Sequence, residues 1–64
     1  MNTVIIIPPT ATGRYCTLLM EFKGDSERIS SLCHSIEADR IRDEFIEAGW
    51  AVVDLRSHLA KENP

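Results

Sequence analysis

The chain has 64 residues, a formal net charge of −3 and 44% hydrophobic residues. We expect one small domain over residues 1–64, because a chain of this length buries only about 60% of its unfolded surface and has no room for a second core. The acidic balance argues against a generic nucleic-acid-binding protein, which is usually basic.

The first predicted element is a strand at Val4–Ile7, where four consecutive residues are β-branched. The Pro8–Pro9 pair cannot continue a ladder and ends the strand. Because the run is apolar on both faces, it is predicted to be the middle strand of a sheet. The run is also far shorter than a secretory signal (about 7–15 apolar residues) or a membrane span (about 20). We therefore expect a cytoplasmic protein with no membrane segment.

The second predicted strand is Tyr15–Phe22, which has β-compatible composition and ends at Lys23-Gly24. Alternation gives this strand two faces. The face predicted to lie under a helix carries Cys16, Leu18, Met20 and Phe22. Tyr15 and Leu19 are predicted to point the other way.

A helix is predicted over residues 27–48, because Asp25-Ser26 supplies capping side chains and no Gly or Pro occurs before Gly49. Its apolar residues fall on two nearly opposite stripes. One stripe is Ile29, Leu32, Cys33 and Ile36, and the other is Ala38, Ile41, Phe45 and Ala48. The helix is therefore expected to kink near Ser35, or to turn one stripe toward something other than the sheet.

The last predicted strand is Trp50–Leu55, with Trp50 and Val52 on the face away from the helix. The alternate residues Ala51, Val53 and Leu55 are predicted to lie under the helix. The polar segment 56–64 is predicted to be a flexible tail.

These elements predict an α+β domain of ββαβ plan, with a three-stranded antiparallel sheet in the order 2-1-3. One long or kinked helix covers one face. The opposite face carries Tyr15, Leu19, Trp50, Val52 and alternate residues of Val4–Ile7. So much apolar surface indicates an interface with a protein partner or a second copy, although strand twist and the tail could cover part of it.

Sequence motifs for chemistry are weak. The four potential metal ligands Cys16, Cys33, His34 and His58 do not have the spacing of a zinc site. Two reduced, buried thiols are the default interpretation, with a disulfide as the alternative. There is no glycine-rich phosphate motif and no nucleophile elbow. We expect no enzyme activity, no cofactor and no small-molecule substrate.

The helix carries many carboxylates, and three predicted pairs join them to arginines: Glu37–Arg40, Asp39–Arg42 and Arg40–Glu44. A solvated face is the simple interpretation of this pattern. The alternative is a docking stripe for a basic partner, formed by Asp39, Asp43 and Glu47, which repeat every four residues.

One local pattern points to RNA. Gly49-Trp50 after a helix, a strand, and then Arg56-Ser57-His58 is similar to the Gly-Trp and Gly-Ser-His elements of HicA-type messenger-RNA interferases. The resemblance covers ten residues, Gly49 to His58, and the glycine before Ser57 is absent. It implies an RNA-acting toxin in which His58 would matter.

The strand-strand-helix-strand outline also resembles that of short phage proteins that bind and inhibit host machinery. Our main expectation is a small non-enzymatic protein-interaction module, phage- or prophage-encoded, that docks on a host protein or forms a homodimer. The alternative is a dimeric nucleic-acid-binding regulator or an RNA-acting toxin-like protein.

Overall fold

The structure, a computed structural model, describes residues 1–56. One four-stranded mixed sheet, in the order β3-β2-β1-β4, carries a helix on one face. Its elements are β1 (Thr3–Ile7), β2 (Tyr15–Glu21), β3 (Arg28–His34), a 3₁₀ turn (Ser35–Glu37), α1 (Ala38–Glu47) and β4 (Ala51–Asp54). The α+β class and the inner position of β1 agree with the sequence prediction.

The strand pairs alternate in direction except at one edge. β1 and β2 are antiparallel, with Ile5 opposite Leu19, and β2 and β3 are antiparallel. β1 and β4 are parallel, with Val4 beside Val52. The predicted order 2-1-3 correctly named the neighbours of β1, but the antiparallel orientation of the last strand was wrong. The additional strand β3 reverses the chain once more, so β4 runs in the direction of β1.

The second correction concerns residues 27–48, because the first part of the predicted helix is strand β3. Serine prefers helix weakly and isoleucine is β-branched, so the stretch Ile29–Cys33 has little intrinsic reason to be helical. Pairing with β2 satisfies the backbone groups on one side of the strand and places Cys33 opposite Cys16. The predicted break near Ser35 is where the strand ends, and the His34 ring accepts the Ile36 N–H there at 3.3 Å.

The core lies between α1 and the helix-facing side of the sheet. Burying one valine or isoleucine side chain contributes about 1.5–3 kcal/mol, so a core of a few such residues supplies much of the stability. The buried residues are Val4, Ile6, Cys16, Leu18, Cys33 and Ala38, with Met20, Ile41, Phe45, Trp50 and Val52 packed against them. Both thiols are buried and unbridged, as the default interpretation predicted, and burial raises the pKa of Cys33.

The helix ends in a Schellman motif that determines which way β4 faces. Gly49 has φ +88° and donates its N–H to the Ile46 carbonyl, and the Trp50 N–H reaches back to the Phe45 carbonyl. The Trp50 ring packs edge-on against Phe45 at a centroid distance of 4.8 Å. Trp50 therefore lies on the helix side of the sheet.

The predicted placement of β4 was accordingly wrong. Val52 packs against the core below the helix. Val53, one residue further on, points to the opposite face and is 45% exposed. Among residues 1–56, no helix is long and apolar enough to cross a membrane.

Candidate protein-binding face

The side of the sheet turned away from α1 is not covered by any element of residues 1–56. We call it the open face. Since neighbouring residues in register point the same way, its residues follow from the strand pairing. Its apolar centre consists of Ile5, Ile7, Leu19, Leu32 and Val53.

The apolar centre is arranged in two rows across the strands. Val53, Ile5 and Leu19 are successive neighbours in one row, which ends at Ser30. The next row runs from Ile7 through Thr17 to Leu32, which is 65% exposed. Large aliphatic side chains therefore stand side by side rather than singly, which is the pattern that marks interaction surfaces.

Polar pairs flank the apolar centre at both ends of the strands. At one end the Arg28 guanidinium contacts the Glu21 carboxylate, with 3.1 Å between Nε and Oε1. At the other end the Tyr15 and His34 rings meet edge to face, with their centroids 5.5 Å apart. An apolar centre with a polar rim is the usual anatomy of a protein–protein interface.

The sequence assigned four sheet residues to this surface, and the structure divides them. Tyr15 and Leu19 lie on the open face, whereas Trp50 and Val52 pack against the core. Val53 was missed because the alternation of β4 was read in the wrong phase. The spacing of Phe45, Gly49 and Trp50 would have predicted the correct side, since a Schellman motif brings its last residue back onto the helix. Leu32 was missed because its strand was predicted to be helical.

The acidic residues Asp39, Asp43 and Glu47 are exposed on α1, on the other side of the sheet from the open face. The structure therefore does not combine them with Tyr15 and Leu19. Arg42 lies 3.4 Å from Asp39 and 3.1 Å from Asp43, so two of the three carboxylates are already paired within the chain. The three predicted ion pairs along the helix are all formed, which agrees with a solvated face.

A charged cluster closes the end of β4. The Asp54 carboxylate accepts hydrogen bonds from the Arg56 N–H and Nε at 3.0 Å and from Arg56 Nη2 at 2.7 Å. These bonds hold the pKa of Asp54 below its usual value and raise that of Arg56. Arg56 Nη2 also reaches Asp39 at 2.9 Å and so ties β4 to the start of α1. Arg56 was predicted to begin a flexible tail and is instead held by these hydrogen bonds. The rest of the predicted tail, residues 57–64 with His58, lies outside the described residues.

An open cleft of about 230 Å³ lies near the turn between β2 and β3. Its lining mixes both charges, with Glu21 and Asp25 beside Lys23 and Arg28. Arg28 and Glu21 are already paired with each other. Within residues 1–56, no three His, Cys, Asp or Glu side chains converge as metal ligands. The open face is therefore the most developed candidate site in the described chain.

Comparison of the chain with protein-family models, with curated proteins and with solved structures gives no match.

Proposed function

We propose that this protein is a non-catalytic interaction module that binds a partner protein through the open face. The observation that carries the proposal is the double row of aliphatic side chains on the side of the sheet that α1 leaves uncovered. Ile5 and Leu19 at its centre are half-buried, whereas Leu32 and Val53 are exposed. Water around such a surface is unfavourable by about 25 cal/mol per Å² of apolar area, so a complementary surface would release it.

The distribution of charge supports a protein partner over a nucleic acid. A nucleic-acid-binding surface needs arginines and lysines free to contact phosphates. Here Arg28, Arg40, Arg42 and Arg56 each contact at least one carboxylate of the same chain. The rim of the open face has one such internally paired arginine, and its centre is uncharged. An apolar docking surface fits this arrangement better than a phosphate-binding one.

The test is a set of charge substitutions on the open face. Leu19→Asp and Val53→Asp each place a carboxylate in the apolar centre, and Ile46→Asp makes the same change on the solvent side of α1, where Ile46 is 55% exposed. Immobilised wild-type protein and the three variants are used to capture proteins from cells. We expect a protein retained by wild type and Ile46→Asp to be lost from Leu19→Asp and Val53→Asp.

The captured protein is then purified and titrated by calorimetry against the same four chains. Circular dichroism and the melting temperature identify any variant that has unfolded. Equal binding by Leu19→Asp, Val53→Asp and wild type would contradict the proposal. Retention of RNA or DNA rather than protein would favour the nucleic-acid-binding alternative.

A further inference from the structure

The outer edge of β3 is a second surface where a partner could bind, because no strand of residues 1–56 pairs with it. The Ser35 N–H donates to the Arg14 carbonyl at 2.8 Å, and register partners in antiparallel strands exchange such bonds at every second residue. The odd-numbered residues of β3 therefore face β2. The even-numbered residues point their N–H and C=O groups outward, where residues 1–56 provide no further strand.

Within residues 1–56, this edge lacks the devices that normally protect an edge strand. Native edges are usually short, or they carry lysine, proline or a bulge. β3 has seven residues in regular register with β2, and from Ile29 to Cys33 it has neither a charge nor a proline. Ile29 and Leu32 are 51% and 65% exposed, so both faces of this edge present apolar side chains.

We propose that β3 pairs antiparallel with β3 of a second copy, about a two-fold axis at Ser31. All seven residues then overlap, and Ser30 of each copy exchanges hydrogen bonds with Leu32 of the other. The exposed Ile29 lies against Cys33 of the second copy. The two four-stranded sheets join into one of eight strands, with both helices on the same side.

The β3 edge is better suited than the β4 edge to pairing with a second copy. β4 has only four residues and ends at Asp54, which Arg56 already holds. Pairing β3 with β4 of another copy would also be head-to-tail and would leave a free edge at each end, whereas β3 with β3 closes as a dimer.

The inference concerns the backbone edge and is independent of the proposed function, which uses the side chains of the open face. Edge pairing leaves the open face of each copy uncovered and places the two side by side. A single strand pair buries less than the roughly 1,600 Å² of a typical stable interface, so the dimer should be reversible.

The first experiment measures mass by light scattering and sedimentation from low to high micromolar concentration. We expect wild type to dimerise with increasing concentration and Ser30→Pro to dimerise at least about tenfold more weakly. Proline at this position removes an outward N–H and leaves the bonds to β2 intact, and two interchain hydrogen bonds are lost per dimer. Ser30→Thr keeps the N–H and should dimerise like wild type.

The second experiment tests the register without relying on proline. Two Ser31→Cys residues would face each other across the axis in a non-hydrogen-bonded pair, at a Cα distance of about 4.5 Å that permits a disulfide. With oxidised glutathione as the oxidant, two thiols give one interchain disulfide and two glutathione thiols. We expect a covalent dimer from Ser31→Cys, and only the wild-type background from Ser26→Cys, whose cysteine is exposed outside the strand.

Three results would overturn the inference. The first is a wild type that is monomeric at every concentration. The second is equal cross-linking of Ser26→Cys and Ser31→Cys. The third is a folded Ser30→Pro that dimerises like wild type. If Leu19→Asp abolishes that dimer, the two copies associate through their open faces instead of through β3. Circular dichroism of each variant shows whether it is folded. If Ser30→Pro is unfolded, the cross-linking of Ser31→Cys decides whether the β3 edges pair.

Discussion

Trp50 joins three elements through its ring. It meets Phe45 of α1 at 4.8 Å and Phe22, just after β2, at 5.3 Å, both edge to face. Such aromatic pairs contribute about 0.5–1.5 kcal/mol beyond the area they bury. A residue with these contacts belongs to the fold rather than to the open face.

Trp50→Ala is therefore expected to destabilise the protein by about 3 kcal/mol, because it leaves a cavity between Phe22 and Phe45. Urea unfolding followed by circular dichroism measures the change. Tyr15→Ala is the matched control, since Tyr15 is an aromatic residue that is 56% exposed on the open face. It should cost less than about 1 kcal/mol. Wild-type stability of Trp50→Ala would contradict the placement of Trp50 in the core.

Asp54 is the second residue with a large expected effect. Its side chain is only 11% exposed and Arg56 is 21% exposed, so their hydrogen bonds are well shielded from water. Asp54→Asn should cost about 1.5–3 kcal/mol at neutral pH. Asp43→Asn, which removes an exposed partner of Arg42, is the control and should cost about 1 kcal/mol at most.

The pH dependence follows from the lowered pKa of Asp54. A carboxyl group whose pKa is lower in the folded state stabilises the fold above its unfolded pKa, about 3.9 for aspartate, and loses this effect as the pH falls through the folded value. The stability advantage of wild type over Asp54→Asn should therefore be constant near pH 7 and shrink below about pH 4. An advantage that persists in strong acid would show that packing, rather than charge, is responsible.

At the scale of elements, the end of α1 determines the sides of β4. The left-handed conformation of Gly49 redirects the chain so that Trp50 returns to the helix. A Cβ atom at Gly49 would have no heavy atom within 4 Å. The backbone conformation alone therefore requires glycine there.

Gly49→Ala is expected to destabilise the protein by about 1–2 kcal/mol, which is the cost of a left-handed conformation with a Cβ atom. Gly49→Asn should cost less, because asparagine visits this region more readily. Thermal unfolding of the two variants beside wild type makes the comparison. Equal stability of Gly49→Ala and wild type would show that the motif opens without consequence.

At the level of elements, sequence patterns were sufficient to predict the helix after Ser35 but not the strand before it. The second stripe is helical as predicted, but the sequence left open which stripe faces the sheet. In the structure Ala38, Ile41 and Phe45 pack against the core, whereas Ala48 is exposed. The first stripe was not helical at all. Residues 28–34 have no glycine, proline or strict alternation, and their strand conformation comes from pairing with β2, a tertiary interaction that local patterns do not encode.

At the scale of the whole molecule, the presence of an uncovered sheet face was easier to predict than the residues that lie on it. One helix can cover one side of a sheet, so an apolar open face was predictable before its members were known. Tyr15 and Leu19 could be assigned because β2 alternates clearly. The sides of Leu32 and Val53 depended on the extra strand and on the helix end, and these were visible only in the assembled fold.

The parallel pairing of β1 with β4 joins opposite ends of the described chain, with Thr3 beside Ala51. Contacts between residues so distant in sequence form late, because closing a long loop must precede them. β2 and β3 need only a short loop and should form early as a hairpin. A nascent chain that has not yet reached Ala51 would expose the second edge of β1 as well as that of β3. The risk of aggregation during synthesis should then depend on how quickly β4 follows the helix.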